Sequence, residues 1–194
     1  MPSEIYSFDE CSLLHLCNIR VPAHFEMFVG KKEILPRNHK RLSNLIHKLR
    51  TSGIDKYRFV PGNLEYNTVK VMNEIINDEG LQLHRISIKN LPNTFKSEIN
   101  DQLEQFIDKI TTEFKEIEKN KNIKAIKQAF IDNEKKLTRE KNIPEDDDLE
   151  IISGYVRHAH DGRKKIVSED EHFWGYAELI LNNFDIEVIR EREC

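Results

Sequence analysis

Four carboxylates stand where a folded chain can bring acids together: Asp9, Glu65, Asp148 and Asp170. Asp9 closes the alternating, β-prone run Glu4–Phe8, and Glu65 lies just past Pro61-Gly62. Asp148 ends the triplet Asp146-Asp147-Asp148, and Asp170 follows the short apolar run Lys164–Ser168. Carboxylates that converge without basic partners repel one another and shift their pKa unless a cation joins them. A hard divalent cation is the natural occupant of such a set. Two positions have rivals. Asp147 competes with Asp148, which is favoured because Leu149 and Ile152 then fall inward; Glu26 repeats the Pro-then-acid pattern of Glu65 without a clear strand before it. Glu169 and Glu171 read as solvated neighbours, Glu171 being the weaker candidate for a place near the cation. His158, His160 and His172 read as exposed polar residues, since hard cations prefer oxygen.

Bringing the acids to one point requires a sheet with all its strand ends on one side. In open α/β sheets ligands sit outside the carboxyl ends of the strands. The pattern predicts strands over residues 4–8, 56–60, 81–88, 164–168 and 185–189. Helices are predicted after Asp9, over 38–49, from Asn63 to Ile76, from the Asp triplet to Asp161-Gly162, and over 176–181. A short helix is also read within Val21–Lys32. Strands alternating with helices argue a parallel α/β sheet.

The longest periodic signal is Phe95, Ile99, Leu103, Phe106, Ile110, Phe114 and Ile117, one stripe on a helix about 35 Å long. It reads as core or as a seam with a second copy of the chain. A basic helix follows: residues 119–141 hold eight Lys or Arg against three acids, and the next six residues of interest, Glu145–Glu150, hold five acids and no base. The pair of charged helices, residues 95–142, is expected as an insertion within a single domain spanning 1–194. Beside an acidic site, Lys124, Lys127, Lys135 and Lys136 are the candidates for phosphate-backbone contacts.

The 194 residues suffice for one domain with a real core. A net charge of −4 gives no global attraction for nucleic acid, so such binding must be local. Three cysteines without a CxxC fit a reducing cytoplasm and do not indicate zinc. No leader and no apolar run long enough to span a bilayer is present, so neither secretion nor a membrane is expected.

With these elements in place the chain resembles the PIN-domain nucleases. The resemblance rests on IYSFDECSLLHL (5–16), FVPGNLEYNTVKVM (59–72), DLEIISGYV (148–156) and KIVSEDEHF (165–173). Asp9, Glu65, Asp148 and Asp170 fall in order on the family's acidic positions, and Ser168 on its hydroxyl position two before the last Asp. Ser153 and Gly154 fall where the family packs small residues close to the sheet. The resemblance implies a three-layer α/β/α fold and a metal-dependent nuclease, most often a ribonuclease. In it the four acids would ligate Mg²⁺ or Mn²⁺, and a metal-activated water would attack the phosphodiester. A second copy, a protein inhibitor or another protein partner is a further expectation. Glu10-Cys11 departs from the family, which has a hydroxyl or amide residue just after the first Asp. That departure supports an alternative, a PIN-like module that binds RNA or assembles without cleaving. A third reading, an acidic Mg²⁺ pocket of phosphatase or signalling type, would need a Lys near the acids. Lys164 and Lys165 stand at the wrong end of their strand for that.

Overall fold

The computed structural model describes residues 4–20, 23, 33–34, 39–64, 66–68, 70, 93–134 and 143–194. They belong to two compact units: one comprises Met1–Ser12, Lys40–Gly62 and Phe114–Cys194, the other Leu13–His39 and Asn63–Glu113.

The first unit is α/β. Its strands are β1 (Glu4–Phe8), β4 (Lys56–Val60), β5 (Lys115–Glu118), β6 (Arg163–Val167) and β7 (Ile186–Ile189). They form one sheet in the order β5-β4-β1-β6-β7, and every pairing is parallel. β1 is central and four of its five residues are buried, the continuous burial expected of a strand covered on both faces. β5 lies at an edge and buries only Ile117, its other residues Lys115, Glu116 and Glu118 being charged and exposed. Charge of that kind protects an edge from pairing with a stray strand. The connecting helices include α2 (His39–Thr51), α4 (Lys124–Glu134), α5 (Asp146–Arg157), α6 (Glu171–Trp174) and α7 (Ala177–Phe184). α1 (Glu10–Leu14) follows β1 directly. Ile5, Phe59, Ile117, Phe130, Leu149, Ile152, Tyr155 and Ile166 share one core with the apolar faces of α4, α5 and α7.

The second unit contains a two-stranded antiparallel pair, β2 (Ile19–Arg20) with β3 (Glu33–Ile34), and the helix α3 (Asn93–Glu113). Ile99, Leu103, Phe106 and Ile110 of α3 are buried within the chain. The Gln102 amide of α3 exchanges hydrogen bonds with the Arg20 backbone at 2.8 and 2.9 Å.

One expectation is corrected. The stripe from Phe95 to Ile117 is not a single helix, and the expected pair of inserted helices is not a pair alone: α3 stops at Glu113 and β5 enters the central sheet. Phe114 and Ile117 keep a helix-like spacing of three, but both are buried around the sheet, Phe114 edge-on to Phe8 at 5.4 Å. The predicted strand 81–88, the helix within Val21–Lys32 and most of the helix after Asn63 lie outside the described residues. Among the described residues no helix is long and apolar enough to cross a membrane.

Candidate functional site

The strand order reverses between β1 and β6: the chain builds β4 and β5 on one side of β1 and β6 and β7 on the other. The crevice outside the carboxyl ends of the strands at such a reversal is where open α/β sheets bind ligands. Asp9 leaves β1 there and Ser168 leaves β6, the two joined by the Asp9 N–H donating to the Val167 carbonyl at 3.2 Å.

Asp148 reaches the same crevice from the first turn of α5. The helix is tied down along its length. Gly154 lets it approach β5, since a Cβ there would lie 2.3 Å from the Glu118 carbonyl oxygen. Only glycine fits so close an approach. At the next residue, the Tyr155 hydroxyl is fully buried between the Ile5 and Lys165 carbonyls, 3.2 and 3.0 Å away, and accepts from the Lys165 N–H. Leu149, next to Asp148, is wholly buried and turns the helix start inward. The Asp triplet is thereby divided. Asp146 pairs with Lys127 and Asp147 with Lys119, each at 2.7 Å, whereas Asp148 faces His172.

The acids are linked by a short chain of hydrogen bonds. Asp9 is 4% exposed; its Oδ1 accepts the Ser12 N–H at 2.7 Å, and its Oδ2 accepts the Ser168 hydroxyl. That hydroxyl in turn accepts the Asp170 N–H at 3.0 Å. Ser168 is therefore the bridge between Asp9 and the Asp170 turn, with its oxygen already engaged on both sides. Asp170 caps α6 by accepting the His172 N–H at 2.9 Å. Phe173 is buried and pins this short helix to the core. The His172 ring then lies with Nδ1 2.8 Å from Asp148 Oδ2 and 3.7 Å from Asp170 Oδ1.

Electrostatics mark the same place. Burial, only partly offset by its hydrogen bonds with Ser168 and Ser12, pushes the Asp9 carboxyl up to about 6, and the charge of Glu191 adds to the rise. Burial also raises Asp148; the His172 hydrogen bond opposes this and the charge of Asp170 reinforces it. Cys11 is exposed as a residue, yet crowding of its thiol together with the charges of Asp9, Asp170, Glu10 and Asp148 pushes it up to about 12. The charges of all three acids thus reach this one thiol.

No family model, curated protein or solved structure matches this chain. The site must therefore be judged on its own chemistry.

Glu65, its rival Glu26, and Lys135 and Lys136 lie outside the described residues. Lys124 is exposed on α4, and Lys127 of the same helix is engaged by Asp146. The basic run and the acidic run thus meet in part, as Lys119–Asp147 and Lys127–Asp146. Glu169 is drawn to Arg190 and the Arg192 N–H, which outweigh the burial acting upward on it and hold it below the ordinary range.

Two residues at this edge escape a sequence reading. A sequence reading makes His172 exposed, but its side chain is 23% exposed and its Nδ1 faces both aspartates. Glu191 is completely buried and close enough to raise Asp9. A signal is present: it stands two residues past the end of β7, a strand of the parallel sheet.

The donors present fit a divalent cation. One ligand atom each from Asp148, Asp170 and His172 lie within 4.8 Å of one another.

Proposed function

We propose that this chain is a divalent-cation-dependent nuclease of PIN-like fold that hydrolyses phosphodiester bonds, those of RNA foremost. The observation that supports this most is that Asp9, Asp148 and Asp170 are linked through Ser168 and His172 at the switch point of a parallel sheet. Mg²⁺ or Mn²⁺ bound there would act as a Lewis acid, drawing charge from the phosphate and lowering the pKa of water. Asp148 and Asp170 are part-exposed and supply oxygens that can hold the cation, while buried Asp9 adds negative charge behind them. Ser168 fixes the distance between Asp9 and the Asp170 turn through its shared hydroxyl. Glu65 belongs to the proposal as the fourth acid.

The acids repel a bare phosphate, so nucleic acid must be held by cations nearby. Lys124 and Lys127 are exposed enough to serve, and the Lys127–Asp146 pair, half in water, gives up little when it exchanges for a phosphate. Lys135 and Lys136 complete the proposed groove. Three free cysteines accord with work in the reducing cytoplasm.

The test is cleavage of end-labelled single- and double-stranded RNA and DNA with Mg²⁺, Mn²⁺ or EDTA. Cleavage that needs the cation and disappears in both Asp148→Asn and Asp170→Asn is expected. Nucleic-acid binding without cleavage would leave the non-cleaving module in its place.

A further inference from the structure

We propose that His172 is a direct nitrogen ligand of the cation centre, and that it gives the centre a preference for Mn²⁺ over Mg²⁺. This rests on reading Asp148 and Asp170 as cation ligands. The geometry comes first. Six donors around a small divalent ion at bonds of about 2.0–2.1 Å put adjacent donors about 2.9 Å apart and opposite ones about 4.2 Å apart. His172 Nδ1 stands 2.8 Å from Asp148 Oδ2, the spacing of adjacent donors, and 3.7 Å from Asp170 Oδ1, between the two limits. A histidine that served only to steady Asp148 would need one acid in reach. This one is placed against two.

The ring is also held in position rather than left to wander. The His172 N–H is bound by the Asp170 carboxylate, so ring and acid share one turn of backbone. Phe173, the next residue, is 1% exposed and anchors that turn. The side chains of Asp148, Asp170 and His172 keep 17%, 35% and 23% exposure, enough for an ion to enter from solvent.

The chemistry gives the preference. Carboxylates suit Mg²⁺ and Mn²⁺ alike; imidazole suits the later transition metals best, yet Mn²⁺ accepts a nitrogen donor more readily than Mg²⁺, which gives up its waters reluctantly. Replacing one oxygen donor by an imidazole therefore favours Mn²⁺.

The experiment loads the full chain with Mn²⁺ and records electron spin-echo modulation, which detects a coordinated imidazole nitrogen directly. Mn²⁺ and Mg²⁺ affinities are measured by titration calorimetry on wild type, His172→Ala and His172→Asn, after melting curves show that each variant folds. Nitrogen modulation is expected in wild type and in neither variant. Mn²⁺ affinity should fall about 10–100-fold in both, no less than when the partners of metal ligands are removed, with Mg²⁺ affinity little changed. Asn retains an N–H near the Nδ1 position, so full Mn²⁺ affinity in His172→Asn would make His172 a prop for Asp148 and overturn the proposal. So would absent nitrogen modulation in wild type, or no Mn²⁺ binding at all. Nitrogen modulation without cleavage of any nucleic acid would sustain His172 as a ligand and remove the nuclease reading; cleavage without nitrogen modulation would do the reverse.

Discussion

Replacing Asp9 by Asn should make the cation-free protein more stable at neutral pH. An unfolded Asp titrates near 3.8, and burial takes the folded carboxyl to about 6. Between those values the folded chain keeps a proton that the unfolded chain has released, so stability falls as pH rises toward 6. Above 6 the whole penalty is present; below 3.8 both states are protonated and it vanishes. The gap corresponds to about 3 kcal/mol at pH 7, with little solvent screening because Asp9 is 4% exposed. Asn removes the charge, can still accept from the Ser12 N–H, and can donate to Ser168 Oγ. For a chain of this size the gain is about 6–12 °C in Tm. Thermal melts in EDTA from pH 4 to pH 8 would show the two proteins diverging as pH rises. Parallel curves, or a less stable variant at pH 7, would mean that the bonds to Ser12 and Ser168 hold the charge comfortably, and the reasoning from burial would fail.

Millimolar Mn²⁺ should raise the melting temperature of the wild type above pH 6, and Asp170→Asn should blunt the rise; identical melts with Mn²⁺ and EDTA would remove the cation site. Cys11, with its thiol at about 12 against an ordinary 9.0, should alkylate slowly at pH 8, its thiolate fraction lower by a factor on the order of 10³. Mn²⁺ should speed that reaction by neutralising the surrounding carboxylates, as peptide mass spectrometry of iodoacetamide-treated protein would reveal; an unchanged rate would uncouple Cys11 from the acids. Gly154→Ala should cost about 1–3 kcal/mol or more by denaturant melts, because its Cβ meets the Glu118 backbone and not a movable side chain.

Much of the first unit was legible because its signals are local. Glu4–Phe8 and Lys56–Val60 alternate or run apolar between turn residues, and the Asp triplet sits at a helix start. β5 was not legible. Its four residues include one buried side chain, and that residue, Ile117, continues the spacing of the helix before it. Nothing within Lys-Glu-Ile-Glu distinguishes an edge strand from a solvated helical turn; only the partner strand β4 decides. The crevice was readable where acids follow strands, as with Asp9 and Asp170. His172 was missed because its role depends on the angle at which α5 meets β6, and tertiary packing through Gly154 and Tyr155 sets that angle. Glu191 lies between Arg190 and Arg192, and nothing in that charged triplet signals that it is completely buried.

The Ser168 hydroxyl that holds Asp9 has a consequence in time. Asp9 and the Ser12 N–H that holds one of its oxygens are synthesised early, but two other supports, the Val167 carbonyl and the Ser168 hydroxyl, are synthesised much later. While the chain emerges, β1, β4 and β5 can already pair, yet Asp9 then sits at the end of a strand with an open flank. The crevice closes only when β6 lies down beside β1. On the proposed reading, the ribosome making this chain would face no cutting activity from it until β6 has left the exit tunnel. The order in which the strands are translated would act as a safety catch on the enzyme.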